Sequence, residues 1–189
     1  MNKTKFSKGN SYHVFNRGCN KEKIFFNEGN YIYLTQKIMK TYEKYKVQII
    51  SYCLMPNHYH FLVKQDSDIP ISEWIRVMFI GYVQAVNIQQ NRSGTLFEGR
   101  AKHILVDKQN YLIHLSRYIH LNPVKAGLVS TPDDWKYSNF LECTGKRDGF
   151  LYDEDFILNN FGSKNEYNTY VNASVSNNIE EKLEKYLVD

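Results

Sequence analysis

The sequence predicts an α+β domain, an antiparallel sheet with helices on one face, followed by a helical C-terminal extension. Three observations carry this. Short β-branched and aromatic runs alternate along the chain with segments of helical periodicity. A proline–asparagine pair joins two of the runs as a tight turn. The charge reverses near residue 146. Of the 189 residues and total formal charge of +4, the stretch beyond residue 145 holds five Lys/Arg against nine Asp/Glu, net −4, so residues 1–145 carry +8. We therefore expect a chemistry-bearing domain over residues 1–145 and an acidic helical extension over residues 146–189.

Each element follows from local pattern. Residues 11–17, SYHVFNR, alternate like a strand. Residues 29–45 place Tyr31, Leu34, Ile38 and Tyr42 at helical spacing. Residues 46–54, KVQIISYCL, are β-branched and aromatic. Met55-Pro56-Asn57 is then a turn, with Pro fixing φ and Asn suited to the left-handed region. Residues 58–64, HYHFLVK, form the antiparallel partner strand, and residues 72–90 a long helix opened by Ser72 as N-cap. A strand over 101–106 leads to a helix over 107–122, capped by Asp107 and stopped at Pro123. The order βαββαβ followed by α is the ferredoxin-like pattern. In the extension, residues 152–161 and 163–174 read as short helices, the second with a capping box at Ser163 and Glu166, and residues 177–189 as an acidic amphipathic helix. Such an acidic segment could fold over the basic body and compete with an anionic partner.

Composition narrows the function classes. A chain 42% hydrophobic and 15% aromatic has the material for a core and is not a disordered segment. The opening MNKTKFSKGN lacks an apolar signal region, and no stretch approaches the ~18 apolar residues that span a bilayer, so no membrane partner and a cytoplasmic location are expected. Cys19, Cys53 and Cys143 have no C-x-x-C spacing, which favours reduced thiols. The basic body suits a polyanion; a solvated lysine-rich surface is the competing account. Aromatics interleaved with basic residues tilt the balance towards nucleic acid.

One motif concentrates the chemistry. MPNHYHFLV, residues 55–63, sets His58 and His60 two apart on a strand, so both project to one face while Tyr59 and Phe61 project to the other. Two imidazoles can share a cation but supply only two ligands, so a third donor must come from elsewhere. The best source is the last core helix, within the stretch YLIHLSRYIHLNPVKAGLV (111–129), where Tyr118 and Asn122 share a face at i and i+4. A tyrosine hydroxyl beside an amide, aimed at a two-histidine cation, suits phosphoryl transfer. His120 lies about 200° around the helix from Tyr118 and should pack or hydrogen-bond elsewhere. His114 is open between ligand and ordinary polar contact.

The segments YHVFNRG (12–18), YCLMPNHYHFLVK (52–64), NRSGTLFEGRAKHILVD (91–107) and RYIHLNPVKAGLV (117–129) together resemble the single-tyrosine HUH transposases, in particular the REP-associated tyrosine transposase branch. The resemblance covers residues 12 to about 140. It implies a ferredoxin-like fold, His58 and His60 as metal ligands, Tyr118 as nucleophile, and Asn122 as third ligand where other members of the wider family carry glutamine. Ligand softness alone would suit zinc or manganese, and an amide oxygen with phosphate would suit magnesium; the resemblance points to Mg²⁺ or Mn²⁺. It further implies cleavage of single-stranded DNA flanking a hairpin and strand transfer through a 5′-phosphotyrosine. Alternatives are a nicking-only enzyme and a non-catalytic hairpin-binding protein. An ordinary phenol, with a pKa near ~10, is only about one part in a thousand ionised at neutral pH, so the site must supply ~4 kcal/mol of activation.

Asn16, Arg17, Arg92, Arg100, Lys102 and Lys125 lie in or beside these segments and are the candidate DNA contacts; solvated surface charge is the competing reading for each cation. Gly94 and Gly99 are expected to serve turns, and Trp74 and Trp135 to pack. Monomer and homodimer are both compatible with the resemblance, and a monomer is the expectation.

Overall fold

A computed structural model describes residues 5–173. Strand β1 (Ser11–Arg17) is followed by a short 3₁₀ turn (Cys19–Lys21), helix α1 (Glu28–Thr41), the hairpin β2 (Val47–Met55) and β3 (His58–Gln65), helix α2 (Ile71–Gln89), strand β4 (Lys102–Val106) and helix α3 (Gln109–Lys125). The sheet order is β2-β3-β1-β4, with every neighbouring pair antiparallel. This is the βαββαβ arrangement the alternation of periods predicts. Among the described residues no helix is long and apolar enough to cross a membrane. Cys19, Cys53 and Cys143 are free thiols.

Helices cover both faces of the sheet rather than one. Tyr12, Val14, Tyr59, Phe61 and Val63 pack on one side with Leu34 and Ile38 of α1 and Trp74, Met78 and Tyr82 of α2. Ile50, Cys53 and Leu62 pack on the other with Leu115 and Ile119 of α3. The reason is the near-continuous burial along β1, β2 and β3: a sheet apolar on both sides needs two covering layers. The C-terminal region completes the second layer. Helices α4 (Phe140–Cys143), α5 (Glu154–Phe161) and α6 (Lys164–Asn172) bring Phe140, Ile157, Tyr167 and Val171 onto α3. This second core runs across the 145/146 boundary drawn from charge. The acidic helix expected over 177–189 lies outside the described residues.

Several helix ends differ from the sequence expectation. Helix α1 stops at Thr41, and Lys46 at φ 47° turns the chain into β2. Helix α2 begins after Pro70 instead of at Ser72, because the side-chain oxygen of Gln65 on β3 accepts from Ile71 N at 3.1 Å and caps the helix from outside. Helix α3 begins after Lys108, with no side-chain cap from Asp107. Pro123 is carried inside its last turn, and Gly127 at φ 67° ends it. Ser163 does cap α6, accepting from Glu166 N at 3.1 Å. Gly94 sits at φ 90°, as a turn glycine should, whereas Gly99 has negative φ. Trp74 is fully buried and Trp135 donates to Leu54 O at 3.2 Å, both packing residues as expected.

Candidate active site

Strand register builds the first half of the site. Arg17 pairs with His58 and Phe15 with His60 across β1 and β3, so Phe15, Arg17, His58 and His60 share the face that α3 covers. The imidazoles of His58 and His60 lie edge to face, 5.0 Å apart at their centroids. Each is gripped through Nδ1. Asn57 Oδ1 lies 2.7 Å from His58 Nδ1, and His13 Nε2 lies 2.9 Å from His60 Nδ1. Asn57 sits in the turn the sequence predicts, and its φ is not positive. Its side chain is what matters, bridging His58 and the carbonyl of Lys21 at 3.2 Å.

Helix α3 supplies the second half. Tyr118 and Asn122, one turn apart, face the histidines. Asn122 Oδ1 is 3.1 Å from His58 Nε2, and the Tyr118 ring stands edge-on to His60 with centroids 6.1 Å apart. Lys125, a further turn on, holds its ammonium 4.9 Å from the centre of the Tyr118 ring. His120 points away, as its helical angle requires: it is fully buried, bonded to Asn139 and Tyr167 at 2.9 and 2.8 Å. His114 is resolved as a polar contact, with Nδ1 2.7 Å from the Tyr170 hydroxyl on α6. Arg117 clamps α6 from the neighbouring face of α3, donating to the carbonyls of Val171 and Ala173.

These side chains open onto one cleft of about 350 Å³, lined by Tyr118, His58, His60, Asn122, Asn16, Arg17, Lys102 and Lys125 among others. Of the six candidate DNA contacts, Arg92 and Arg100 alone stand outside it; Arg92 donates to Thr95 O in its own loop. Asn16 lines the cleft but its amide is spent on the backbone, donating to Gly99 O and accepting from Arg17 N, which makes it a brace for the 98–100 loop. Arg17 forks onto Glu98 through Nε and Nη2 at 2.9 and 3.1 Å. Sequence reasoning missed Lys21, Asn57 and Glu98 in the lining and His13 behind His60. Lys21 and its neighbour Asn20 both sit at positive φ, 59° and 55°.

The donor set fits a divalent cation. His60 Nε2 is buried with no hydrogen-bond partner, although a buried polar nitrogen is normally satisfied. Burial, then the neighbouring His13 and His58, hold the His60 pKa well below the ordinary value, so the ring is neutral and able to ligate. Among the described residues no three His, Cys, Asp or Glu side chains gather at one point, so a site here would take an amide oxygen as its third protein ligand. Asn122 Oδ1 is in that position.

The family model for IS200-like transposases matches residues 7–122. A Haemophilus influenzae protein assigned as a REP-associated tyrosine transposase is 29% identical over 112 residues, which is 53% of this chain and 63% of that protein, so the chain matches less than two thirds of its curated relative. Among solved structures, a REP-associated tyrosine transposase bound to a REP hairpin superposes with a TM-score of 0.65 at 19% identity, over 81% of this chain and 93% of that one, a likeness of fold. With more than half of its length matched, from the strand before the histidine pair to the asparagine that faces it, this chain belongs to the IS200-like transposase family.

Proposed function

We propose that the protein is a single-tyrosine DNA strand transferase of the REP-associated kind, which cleaves single-stranded DNA beside a hairpin with Mg²⁺ or Mn²⁺ and rejoins it through a 5′-phosphotyrosine. The observation that carries this reading is the meeting of Tyr118, His58, His60 and Asn122 in one cleft whose cationic lining is Arg17, Lys21, Lys102 and Lys125 against the single carboxylate of Glu98. The relative of similar fold is a transposase bound to a REP hairpin, which supports the choice of substrate.

His58, His60 and Asn122 would hold the cation. When bound, it offsets charge on a non-bridging phosphate oxygen and orients the phosphate. Tyr118 supplies the nucleophile: its oxygen forms a bond to phosphorus while the bond to the 3′ oxygen breaks. The phenol gives up one proton and the departing 3′ oxygen takes one up, leaving a phosphotyrosine ester and a free 3′-OH. Because the ester conserves the phosphodiester bond energy, a second 3′-OH can attack it and release Tyr118. Lys125 places positive charge beside the phenol as its oxygen becomes anionic. Arg17, Lys21 and Lys102 neutralise phosphates of the bound strand, while Arg92 and Arg100 would meet DNA further along it. Residues 1–145 carry the chemistry in this reading, residues 146–173 of the C-terminal extension brace α3, and the working unit is a monomer.

Incubation with an end-labelled hairpin oligonucleotide and Mn²⁺ tests this. We expect a denaturant-resistant protein–DNA adduct that is absent with Tyr118→Phe and with EDTA. Cleavage without an adduct would indicate a nicking hydrolase, and binding without cleavage a hairpin-binding protein. Sedimentation of the protein–hairpin complex reads the stoichiometry.

A further inference from the structure

We infer that His13 and Asn57 are positioning residues that hold His60 and His58 in the Nδ1–H tautomer, so that both Nε2 lone pairs turn into the cleft. The inference rests on the reading of the two histidines as ligands.

His13 comes from β1, on the same sheet face as His60, and both rings are buried and nearly parallel, at 20°. Across the 2.9 Å contact between His13 Nε2 and His60 Nδ1 one nitrogen must donate and the other accept. If His13 donated, His60 would carry its proton on Nε2. That atom is buried with no acceptor in reach, and native proteins avoid stranding a donor there. With His60 donating to His13, the proton His13 keeps lies on its own Nδ1, which is also buried. The two arrangements therefore differ not in the burial of an N–H but at His60 Nε2, whose lone pair then faces the cleft, where a cation satisfies it.

Asn57 settles the same question for His58. Its Nδ2 donates to Lys21 O at 3.2 Å, which turns Oδ1 towards His58 Nδ1 at 2.7 Å. An amide oxygen only accepts, so His58 Nδ1 carries the proton. The Nε2 lone pair of neutral His58 then faces Asn122 Oδ1, a second acceptor, at 3.1 Å. Two acceptors at that separation repel unless positive charge lies between or beside them. The two imidazoles are therefore set, by different partners on different elements, into the one tautomer that suits a shared cation. Such outer partners fix ring orientation and raise ligand basicity.

Two measurements on the full chain test this. Long-range ¹H–¹⁵N correlation spectra of the metal-free protein report histidine tautomers directly. Nδ1–H signatures are expected for His58 and His60, and an Nε2–H signature on His60 would overturn the proposal. Mn²⁺ affinity, read by calorimetry or by the free-ion electron paramagnetic resonance signal, should fall about 10- to 100-fold in His13→Phe, which keeps a ring but loses the acceptor. Most of the loss should be recovered in His13→Gln, which restores an acceptor. Equal affinity of His13→Phe and the unmodified protein would sink the role of His13 while leaving the metal site standing. Absence of Mn²⁺ binding by the unmodified protein would instead remove the metal-dependent reading itself. Should His13→Phe fail to fold, the tautomer spectrum of the unmodified chain decides alone.

Discussion

Against α1 and α2 the sheet presents Tyr12, Val14, Tyr59, Phe61 and Val63, and the layer beyond them is filled by Leu34, Ile38, Trp74 and Met78. Against α3 it presents His13, His60 and Leu62; the helix meets the histidines with Tyr118 and Asn122 and buries Ser116, Arg117 and His120 against the segments that follow it. The first face needs no particular orientation beyond good packing. The second carries a network of directed hydrogen bonds. Asn139 shows how such a network is pinned: its Nδ2 donates to Ile50 O and Leu151 O, so its Oδ1 accepts from Tyr52 N at 2.7 Å and from His120 Nε2 at 2.9 Å. His120 must then accept from the Tyr167 hydroxyl through Nδ1. That chain of bonds fixes α3 about its own axis two residues from Tyr118 and Asn122. Apolar packing alone would hold the helix against the sheet with less rotational definition. One face supplies stability and the other supplies aim.

The sharpest way to break this comparison is to remove chemistry without touching packing. Tyr118→Phe deletes one hydroxyl from the cleft, and the rate of adduct formation should fall on the order of 10⁴-fold or more, as for loss of any covalent nucleophile. Stability should change by less than about 1.5 kcal/mol. The complementary change is Trp74→Ala on the opposite face. Trp74 is fully buried, its ring meets Phe61 and its Nε1 donates to Thr41 Oγ1 at 3.0 Å. We expect a loss of about 3–5 kcal/mol in urea denaturation, with adduct formation per folded molecule unchanged. A large kinetic defect per folded molecule in Trp74→Ala would mean that the two faces are not separable.

How much of this was legible in the sequence divides along the same line. Strand and helix order, the shared face of His58 and His60, and the i, i+4 pairing of Tyr118 and Asn122 follow from periods of 2 and 3.6, which are local properties. The partners of those residues are set by pairing between distant segments. His13 reaches His60 only because β1 is inserted between β3 and β4, and nothing in SYHVFNR announces that register. Asn57 was visible as a turn residue, but its side-chain bonds to His58 and Lys21 depend on where the 3₁₀ turn after β1 comes to rest. Glu98 and Lys21 sit in irregular segments, where no periodicity assigns a face. Helix ends were the weakest reading for a related reason. The cap of α2 is Gln65, six residues upstream on a strand, and Pro123 is carried in the last turn of α3, which closes at Gly127 where Leu128 N donates to Pro123 O.

Acid should distinguish the faces next. Burial pushes the His120 pKa down to about 4, below the ordinary value of 6.5, against a smaller opposing influence from its bond to Asn139. The folded state therefore favours the neutral ring. The stability this represents is fully present above pH 6.5, where both states are neutral. It is lost progressively as the pH falls from 6.5 towards 4, where the unfolded chain binds a proton that the folded chain refuses. The total is on the order of 3 kcal/mol, with His60 adding in the same direction. Urea denaturation between pH 7 and 4.5 should show this decline. In His120→Gln the slope should be shallower by about one proton, while Trp74→Ala should keep the full slope from a lower starting point. Parallel slopes in the two variants would place the acid sensitivity elsewhere.

The smallest expected effect concerns the rim of the cleft, where Glu98 is the one carboxylate among cations. Its pairing with Arg17 is about a third exposed on both sides, so the bond itself contributes only ~0–1 kcal/mol. Its greater influence is on ligand charge. Glu98 both repels phosphate and occupies the guanidinium fork of Arg17, and Glu98→Gln removes the repulsion and frees Arg17 to take a phosphate in its place. Hairpin affinity at low salt should rise a few-fold, and the slope of log affinity against log salt should steepen by up to about one contact. Fluorescence anisotropy with a labelled hairpin at several salt concentrations reads both. A fall in affinity would show the reverse balance, in which the Glu98 carboxylate matters more for holding Arg17 in line with His58 along the strand register than for the charge it brings to the cleft.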